Sequence, residues 1–566
     1  MKRWVVAAKK ADFNGIAKRF SITPMLARIL RNRDVITDEE IAAFLNGSIE
    51  DLHDPMLLYG MDMAVSLIDA TIQGGGKIRV VGDYDVDGIS ATYILVRTLQ
   101  ACGADVSWQL PERLKDGYGL NRNIIGKAND DRISLLLTCD NGIAAVEEIA
   151  YAKELGMCVV VTDHHEPREI LPPADAIVDP KQPACTYPDT EICGAVVAYK
   201  LSQALCKKKE IHLPEGLLQF AAFATVCDVM PLLKENRIIV QCGMREMAHT
   251  DNTGLAALID VTGCDRSNLS PYHLGFILGP CVNATGRLDE ATRALNLFLS
   301  KDIKEAAILA NTLKELNEQR KEKTLFYTKK AIDLVGTGDG NNPVLAGDNV
   351  LVIYLPDCHE SIAGIVAGKV KEHYYKPTIV LTDSEDPGIV KGSGRSIEGY
   401  GMFDALCAVS DVFVKFGGHK MAAGMSLKQE KIDELRRRLN ENETLSEEDL
   451  TEKVLIDIAM PLPYVTAEFV DELERLNPYG VGNPRPVFAQ KGLKIREMSV
   501  CGEKKNVVRL RFEDQVLPAV YFGDGEAFEK EYGIGDPVMI AYTPEWNVYR
   551  GNKSLQIQVK EIKPDT

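Results

Sequence analysis

Three features are missing from these 566 residues, and each absence removes a class of protein. There is no long hydrophobic run: the most apolar stretch, residues 216–227, is 12 residues long before Asp228 interrupts it. That is well short of the ~20 apolar residues that span a bilayer, so no membrane span is expected. At the N-terminus only residues 4–8 are apolar before Lys9 and Lys10, too few for the h-region of a secretory signal. A cytoplasmic chain with no membrane partner is the expectation. Paired cysteines are missing too: the 13 cysteines are scattered, odd in number and without a C-x-x-C pair, which suits a reducing compartment and gives no zinc signature. Excess positive charge is the third absence. Lys and Arg number 65 against 82 Asp and Glu, a net charge of −17, which argues against coating nucleic acid by bulk charge but leaves room for a local basic groove.

At roughly 100 to 200 residues per domain, a chain of this length holds about three or four. Residues 1–60 carry short helical patterns, including Thr37-Asp-Glu-Glu, a helix start with acidic residues in its first turn, and read as a helical lead-in. Over residues 61–300 strand and helix alternate, with strands predicted at 77–82, 106–110, 134–138 and 159–162. Short apolar runs between amphipathic helices indicate a parallel sheet covered on both faces, where ligands gather at the carboxyl ends of strands. Residues 301–340 hold a long charged helix with Ala306, Leu309, Leu313 and Leu316 as its apolar stripe. It would span about 50 Å and reads as a spacer. A second α/β region is expected over 341–427, a charged helical linker over 428–453, and a small β domain over 454–566, where Leu555, Ile557 and Val559 alternate with polar residues.

The chemistry sits where strands end. In Lys77-Ile-Arg-Val-Val-Gly-Asp-Tyr-Asp-Val-Asp-Gly a buried strand runs into Asp83, Asp85 and Asp87 at every second position. Carboxylates so close repel unless cations neutralise them. A calcium loop of the EF-hand type is excluded, because its twelfth position is Ile94 rather than Glu and a strand precedes it. Leu135-Leu-Leu-Thr-Cys-Asp places Asp140 after a second strand, and Val159-Val-Val-Thr-Asp-His-His delivers Asp163, His164 and His165 after a third. Asp228 is a charge in an apolar stretch, costly to bury unless paired or bound to metal. Aspartate and histidine ligands without cysteine suit Mn²⁺ or Mg²⁺, and there are enough for two ions. Two metals about 3.5–4 Å apart serve phosphoryl transfer, so phosphoester hydrolysis is the reaction implied.

The set Asp83-Tyr-Asp-Val-Asp-Gly, Thr138-Cys-Asp-Asn-Gly, Asp163-His-His and Asp228 resembles motifs I to IV of the DHH phosphoesterase superfamily. Later runs resemble its single-strand-specific exonuclease branch. They are Leu278-Gly-Pro-Cys-Val-Asn-Ala-Thr-Gly-Arg, His359-Glu, Gly392-Ser-Gly-Arg-Ser, Phe416-Gly-Gly-His and Asn477-Pro-Tyr-Gly-Val-Gly-Asn-Pro. Cys281 stands where that branch often has a basic residue, and Ser361 replaces a common glycine after His359-Glu.

The resemblance implies an α/β protein with a parallel-sheet DHH domain, a long connecting helix, a second α/β DHH-associated domain and a C-terminal OB-like β-barrel. The two α/β domains would face each other across a cleft. It implies Asp83, Asp85, Asp87, Asp140, His164 and Asp228 as metal ligands, His165 at the scissile phosphate, and Asp163 orienting a histidine. Arg287 joins them as a catalytic contact. Asn283, Arg287, Ser393, Gly394, Arg395, Ser396 and His419 would hold phosphate oxygens. Gly392-Ser-Gly-Arg-Ser lacks the lysine and spacing of a Walker loop, so ATP use is not indicated. In the β domain, Trp546, Tyr549 and Arg550 fit a surface that stacks bases and contacts backbone.

The expected activity is digestion of single-stranded DNA from the 5′ end to 5′ mononucleotides, in repair and recombination, by a monomer. A single-strand-binding protein and a repair helicase are the partner classes implied. The rival readings are a DHH phosphodiesterase for short oligonucleotides or cyclic dinucleotides, and a catalytically inactive DNA-binding relative of the replication-scaffold type. The full motif set and the β domain argue against both.

Overall fold

Every apolar run predicted between residues 77 and 162 is a strand in the computed structural model, which describes residues 2–112, 119–549 and 552–565. The strands are β1 (Lys77–Val81), β2 (Asp105–Gln109), β3 (Leu135–Cys139), β4 (Cys158–Thr162) and a short β5 (Ala176–Val178). They form one parallel sheet in the order β2-β1-β3-β4-β5. All of β3 is buried, as a strand covered on both faces must be. From β1 the chain moves outward to β2 and then returns to the other side at β3. The carboxyl ends of β1 and β3 therefore flank the topological switch point, where open α/β sheets bind ligands.

Helices α1 (Val86–Ala101), α2 (Gly194–Lys208), α3 (Leu217–Cys227) and α4 (Lys234–Ala248) pack on one another beside the sheet. Helix α3 is the most apolar stretch of the chain and is almost wholly buried. Among the described residues no single helix is long and apolar enough to cross a membrane.

The chain divides into two compact units, and the sheet above lies in the one that spans Trp4–Gly279, Leu295–Ile303 and Leu455–Thr566. The other contains Pro280–Ala294 and Lys304–Val454. It holds α5 (Ile303–Thr337), β6 (Leu351–Tyr354), α6 (Glu360–Tyr374), β7 (Thr378–Asp383), β8 (Ile389–Arg395), β9 (Phe413–His419) and β10 (Ala422–Lys428). Its sheet runs β9-β10-β8-β7-β6, parallel only between β6 and β7.

Two expectations need correcting here. The spacer expected over 301–340 is built into this unit: Ala331, Leu334 and Val335 of α5 share an apolar cluster with Leu351 and Ile353 of β6. Its first half buries Ala306, Ala310, Leu313 and Asn317, so small and amide side chains take places that Leu309 and Leu316 were expected to fill. The linker expected over 428–453 contains α7 (Ile432–Asn442), whose Ile432, Leu435 and Leu439 are buried with Val350 and Val352. The helix itself was expected; its i, i+3, i+7 apolar stripe, which makes it part of this core rather than a linker, is what the surrounding charges obscured.

The C-terminal strands β11 (Phe488–Cys501), β12 (Val507–Phe512), β13 (Ala519–Phe522), β14 (Pro537–Tyr549) and β15 (Asn552–Pro564) close into a ring. Its order is β11-β12-β13-β15-β14, and β14 returns to β11. Closure leaves no open edge, the OB arrangement. Residues 1–60 are not a lead-in to the first sheet alone. Leu26, Ile29 and Leu30, from the helix Pro24–Asn32, share an apolar core with Phe488, Phe512 and Tyr542 of the barrel.

Arg237 of α4 binds the same assembly. Its buried guanidinium lies 3.8 Å from the centre of the Phe44 ring. It donates to the carbonyls of Phe44 (2.8 Å), Leu476 (2.8 Å), Arg475 (3.0 Å) and Asn477 (2.7 Å). A cation out of water needs such a full set of acceptors.

Candidate metal centre

Asp83 follows β1 after Gly82, Asp140 follows β3 directly, and Asp163, His164 and His165 follow β4. Asp85 caps α1, accepting from the N–H groups of Asp87 (2.9 Å) and Gly88 (3.1 Å). Asp87 accepts the first N–H groups of α2, from Gly194 and Ala195, each at 2.7 Å. A carboxylate is favoured there by the unpaired N–H groups and dipole of the helix start. Asp228 is the residue that ends α3. Two glycines permit the crowding: a Cβ on Gly88 would lie 2.4 Å from the Asp83 nitrogen, and one on Gly194 would lie 2.7 Å from Asp140 Cβ.

His164 Nε2 stands 3.1 Å from Asp140 Oδ1, 3.4 Å from Asp87 Oδ2 and 3.8 Å from Asp228 Oδ2. Neighbouring ligands of an octahedral ion with bonds of ~2.1 Å are about 3 Å apart, so these atoms are already spaced as a coordination shell. The donor atoms of Asp83, Asp85 and Asp140 lie within 4.8 Å of one another, as do those of Asp87, His164 and Asp228, and those of Asp140, His164 and His165. The first two triads share no residue, which gives room for two ions.

The electrostatics favour cations. Burial, then the Asp85 charge, pushes the Asp83 carboxyl well above its ordinary value. Burial and Asp87 raise Asp85 as well and push Asp140 well above its ordinary value. Burial, Asp87 and Asp85 push Asp228 up to about 8. Among the described residues Oδ2 of Asp228 is buried without a hydrogen-bond partner. Oxygen donors in this state with one imidazole fit a hard divalent cation of the Mn²⁺ or Mg²⁺ kind.

The two histidines differ. Burial holds His164 below its ordinary pKa, which favours the neutral ring. Burial alone would lower His165 too, but the hydrogen bond and charge of Asp163 outweigh it and raise His165 to about 9. His165 Nδ1 lies 2.7 Å from Asp163 Oδ1. Asp163 also accepts the N–H groups of Ile143 (2.9 Å) and His164 (2.8 Å). Although burial opposes ionisation, those bonds keep Asp163 below the usual carboxylate range. Both its oxygens are engaged.

Two residues that sequence reasoning passed over belong to this cluster. Asp179 follows β5 as the others follow their strands. It is fully buried, and burial pushes it up to about 7. The signal was present in Ala176-Ile-Val-Asp, a run too short to stand out. Asn141 donates to the carbonyls of Val81 (3.1 Å) and Cys139 (2.9 Å) and so fixes the ends of β1 and β3 to each other.

The other predicted contacts lie in the second unit, where several are brought together. Arg287 Nη1 donates to Ser361 O (2.8 Å), and Ser361 Oγ donates to Arg287 O (3.0 Å) while lying 2.7 Å from His359 Nδ1. The serine that replaces the family glycine thus ties Arg287 to His359. Asn283 stands one helical turn before Arg287 in the helix Gly279–Leu288. Register places Arg395, Ala422 and His419 in one row across β8, β10 and β9. Arg395 passes over Gly364, where a Cβ would meet its Nη2 at 2.9 Å. Ser393 flanks the same glycine, and Gly394 lies buried over Met402. Ser396 is a correction: it is buried and its hydroxyl donates to Tyr400 O (2.7 Å), so it offers nothing to a phosphate.

In the barrel, Trp546 is half-buried against the core. Its indole N–H donates to Asp471 (2.8 Å), and the Lys553 ammonium sits 4.1 Å from the ring centre. Arg550 and the side chain of Tyr549 lie outside the described residues.

A parallel sheet whose strand ends deliver three aspartates, a fourth aspartate and an Asp-His-His run to one switch point is the site of a DHH phosphoesterase. The sequence profiles agree: the DHH family, N-terminal domain, matches residues 77–225, the DHHA1 domain 347–443 and the RecJ OB domain 456–561. The chain belongs to the RecJ family. It is 37% identical to the single-stranded-DNA-specific exonuclease RecJ of Bacillus subtilis, over 99% of this chain and 70% of the relative. The crystal structure of RecJ from Thermus thermophilus in complex with Mn²⁺ superposes with a TM-score of 0.84 at 27% identity, covering 100% of this chain and 80% of that one. The same protein in complex with Mg²⁺ gives 0.78 at 26%, covering 100% and 79%.

Proposed function

We propose that the chain is a metal-dependent exonuclease specific for single-stranded DNA, working from the 5′ end to release 5′ mononucleotides in DNA repair and recombination. The observation that carries the reading is the pair of disjoint donor triads at the switch point, Asp83–Asp85–Asp140 and Asp87–His164–Asp228. Family membership supplies the substrate class, and the Mn²⁺ and Mg²⁺ complexes of the Thermus protein support the choice of ions. Asp83, Asp85 and Asp140, and Asp87, His164 and Asp228, would hold divalent cations, which would supply positive charge for phosphodiester hydrolysis and lower the pKa of a water.

The rest is the work of the chain's own side chains. His164 presents its neutral Nε2 to the centre. His165, kept cationic by Asp163, holds a phosphate oxygen and gives its proton to the departing oxygen. Asp163 orients His165 and is not itself a ligand. Arg287, Arg395, Ser393 and His419 supply charge and hydrogen bonds to the phosphates of the strand, with Asn283 beside Arg287. The barrel adds a surface for the backbone of the single strand. The family resemblance further supports a cytoplasmic monomer that works with a single-strand-binding protein and a repair helicase.

Digestion of single and double strands, labelled at either end, tests the reading in Mn²⁺, Mg²⁺ or chelator. Release of labelled mononucleotide from the 5′ end of single strands alone, abolished by chelator, is the expected result. Equal digestion of duplex, or release from the 3′ end, would overturn it.

A further inference from the structure

The segment after residue 270 carries a feature that the reaction above does not use. A helical turn at Pro271–His273 runs into a π-helical stretch, Leu274–Leu278, and then into the helix Gly279–Leu288. Wide turns of this kind are rare and recur at functional sites. This one turns two large aromatic side chains to solvent. Tyr272 is 62% exposed and Phe276 68%, and their rings stack with centroids 5.2 Å apart and planes 22° from parallel. Exposed single aromatics need no explanation, but a stacked exposed pair is a flat apolar surface that water does not favour.

The pair is carried by a segment that packs against the helix leading to Asp228. The π-helical stretch packs on α3 at the end occupied by Asp228. Cys227 Sγ, one residue before Asp228, donates to Leu274 O at 3.5 Å. A Cβ on Gly279 would meet the same sulfur at 2.4 Å, and one on Gly275 would lie 3.5 Å from Val226 Cγ1. At this helix end Val229 is also exposed and takes a left-handed φ of 61°, strained for a β-branched residue. The segment that bears the aromatic pair is thus anchored to the helix end that bears Asp228.

We propose that Tyr272 and Phe276 form a stacking platform for a base of the single strand whose backbone enters the metal centre. The proposal rests on the exonuclease reading above. Bases stack on aromatic faces without regard to sequence, which is what an enzyme that digests any single strand requires, and paired bases in a duplex have no free face to offer. The occupant is fixed by position: a strand bound with a phosphate at the Asp228 side of the centre passes this end of α3.

The test compares wild type with Tyr272→Ala, Phe276→Ala and the double variant, with Tyr272→Phe and Phe276→Trp as aromatic controls. Steady-state digestion of an oligodeoxynucleotide in Mn²⁺ gives KM and kcat, and the substrate is repeated with an abasic residue at each position in turn. Stacking of one base on an aromatic predicts a rise in KM of about 5- to 150-fold in the double variant. Little change in kcat or Mn²⁺ binding is expected, and the controls should behave as wild type. One abasic position should raise KM in wild type and have no further effect in the double variant. An unchanged KM in that variant, or an abasic penalty that persists in it, would overturn the platform. So would loss of self-association in sedimentation without a change in KM, which would assign the face to a second copy. A wild-type chain that digests no single strand would instead overturn the exonuclease reading itself.

Discussion

The candidate metal centre and the phosphate contacts proposed for the second unit pose opposite electrostatic problems. The first gathers Asp83, Asp85, Asp87, Asp140 and Asp228 in a buried site, where burial and mutual repulsion raise the carboxyls of Asp83, Asp85, Asp140 and Asp228. Among the described residues no Lys or Arg forms an ion pair with Asp83, Asp85, Asp87 or Asp228; the neutral ring nitrogen of His164 lies 3.4 Å from Asp87 and 3.8 Å from Asp228. The second offers Arg287, Arg395 and His419, and the guanidinium groups of Arg287 and Arg395 are steadied by backbone carbonyls of their own unit. Arginine does not lose its charge, so it needs only orientation. Carboxylates in a buried cluster lose theirs unless an ion arrives. The first region is therefore completed by its ligand, whereas the second is in place without one.

The sharpest break of that comparison is Asp85→Ala or Asp140→Ala. Turnover should fall by on the order of 10³-fold or more, while melting in chelator stays level or rises, because one of several repelling carboxylates is gone. Near-wild-type turnover at saturating Mn²⁺ would remove the metal assignment. Next, His165→Ala should lower turnover roughly 10²- to 10⁴-fold and retain Mn²⁺ binding, while His164→Ala loses both. Calorimetric Mn²⁺ titrations with equal losses in the two variants would erase the distinction between neighbours.

Arg287→Ala or Arg395→Ala should raise KM for single strands by roughly 10- to 150-fold, the worth of a charge-assisted hydrogen bond. Neither should alter Mn²⁺ affinity, and a variant that does would mean the two regions are not separable.

The smallest effect is on stability. Asp228, raised to about 8, binds a proton in the folded chain that the unfolded chain releases near pH 4. In chelator its contribution is complete below pH 4 and lost as pH rises toward 8, so melting should fall over that window. Asp228→Asn should flatten the slope. Saturating Mn²⁺ should reverse it, adding about 2.7 kcal/mol at 100-fold excess over Kd. A melting temperature independent of pH in chelator would contradict the raised carboxyls.

The barrel cannot be tested by truncation near Lys453. The helix Pro24–Asn32 and the barrel strands bury one another, so removing residues 454–566 would expose Leu26, Ile29 and Leu30 to water. Substituting Trp546 or Lys553 leaves that core intact. Since the ammonium of Lys553 already covers one face of Trp546, a base has at most the other face to stack on.

The acidic cluster was legible because its carboxylates stand at local landmarks. A run of β-branched and apolar residues sets the strand, and the residue that follows it must leave the sheet at the switch point. Asp83, Asp140 and Asp163 could be read in this way, while Asp179 was hidden by the shortness of β5. The stretch around α7 could be read as helical but not as core, because Arg436, Arg437 and Arg438 outnumber its apolar positions locally although those positions face the core.

By itself the sequence determined which residues would end strands as aspartate or histidine, because the period of side chains along a strand and the cost of burying a charge act over a few residues. Only the tertiary structure decided what those residues meet. It set His165 apart from His164 through Asp163, sealed the hydroxyl of Ser396 against Tyr400, and drew Arg237 onto the carbonyls of residues 475–477. It also joined residues 24–32 to a barrel that begins more than 400 residues later. Contacts of that kind come from burial shared between distant segments, which leaves no period in either segment to be read.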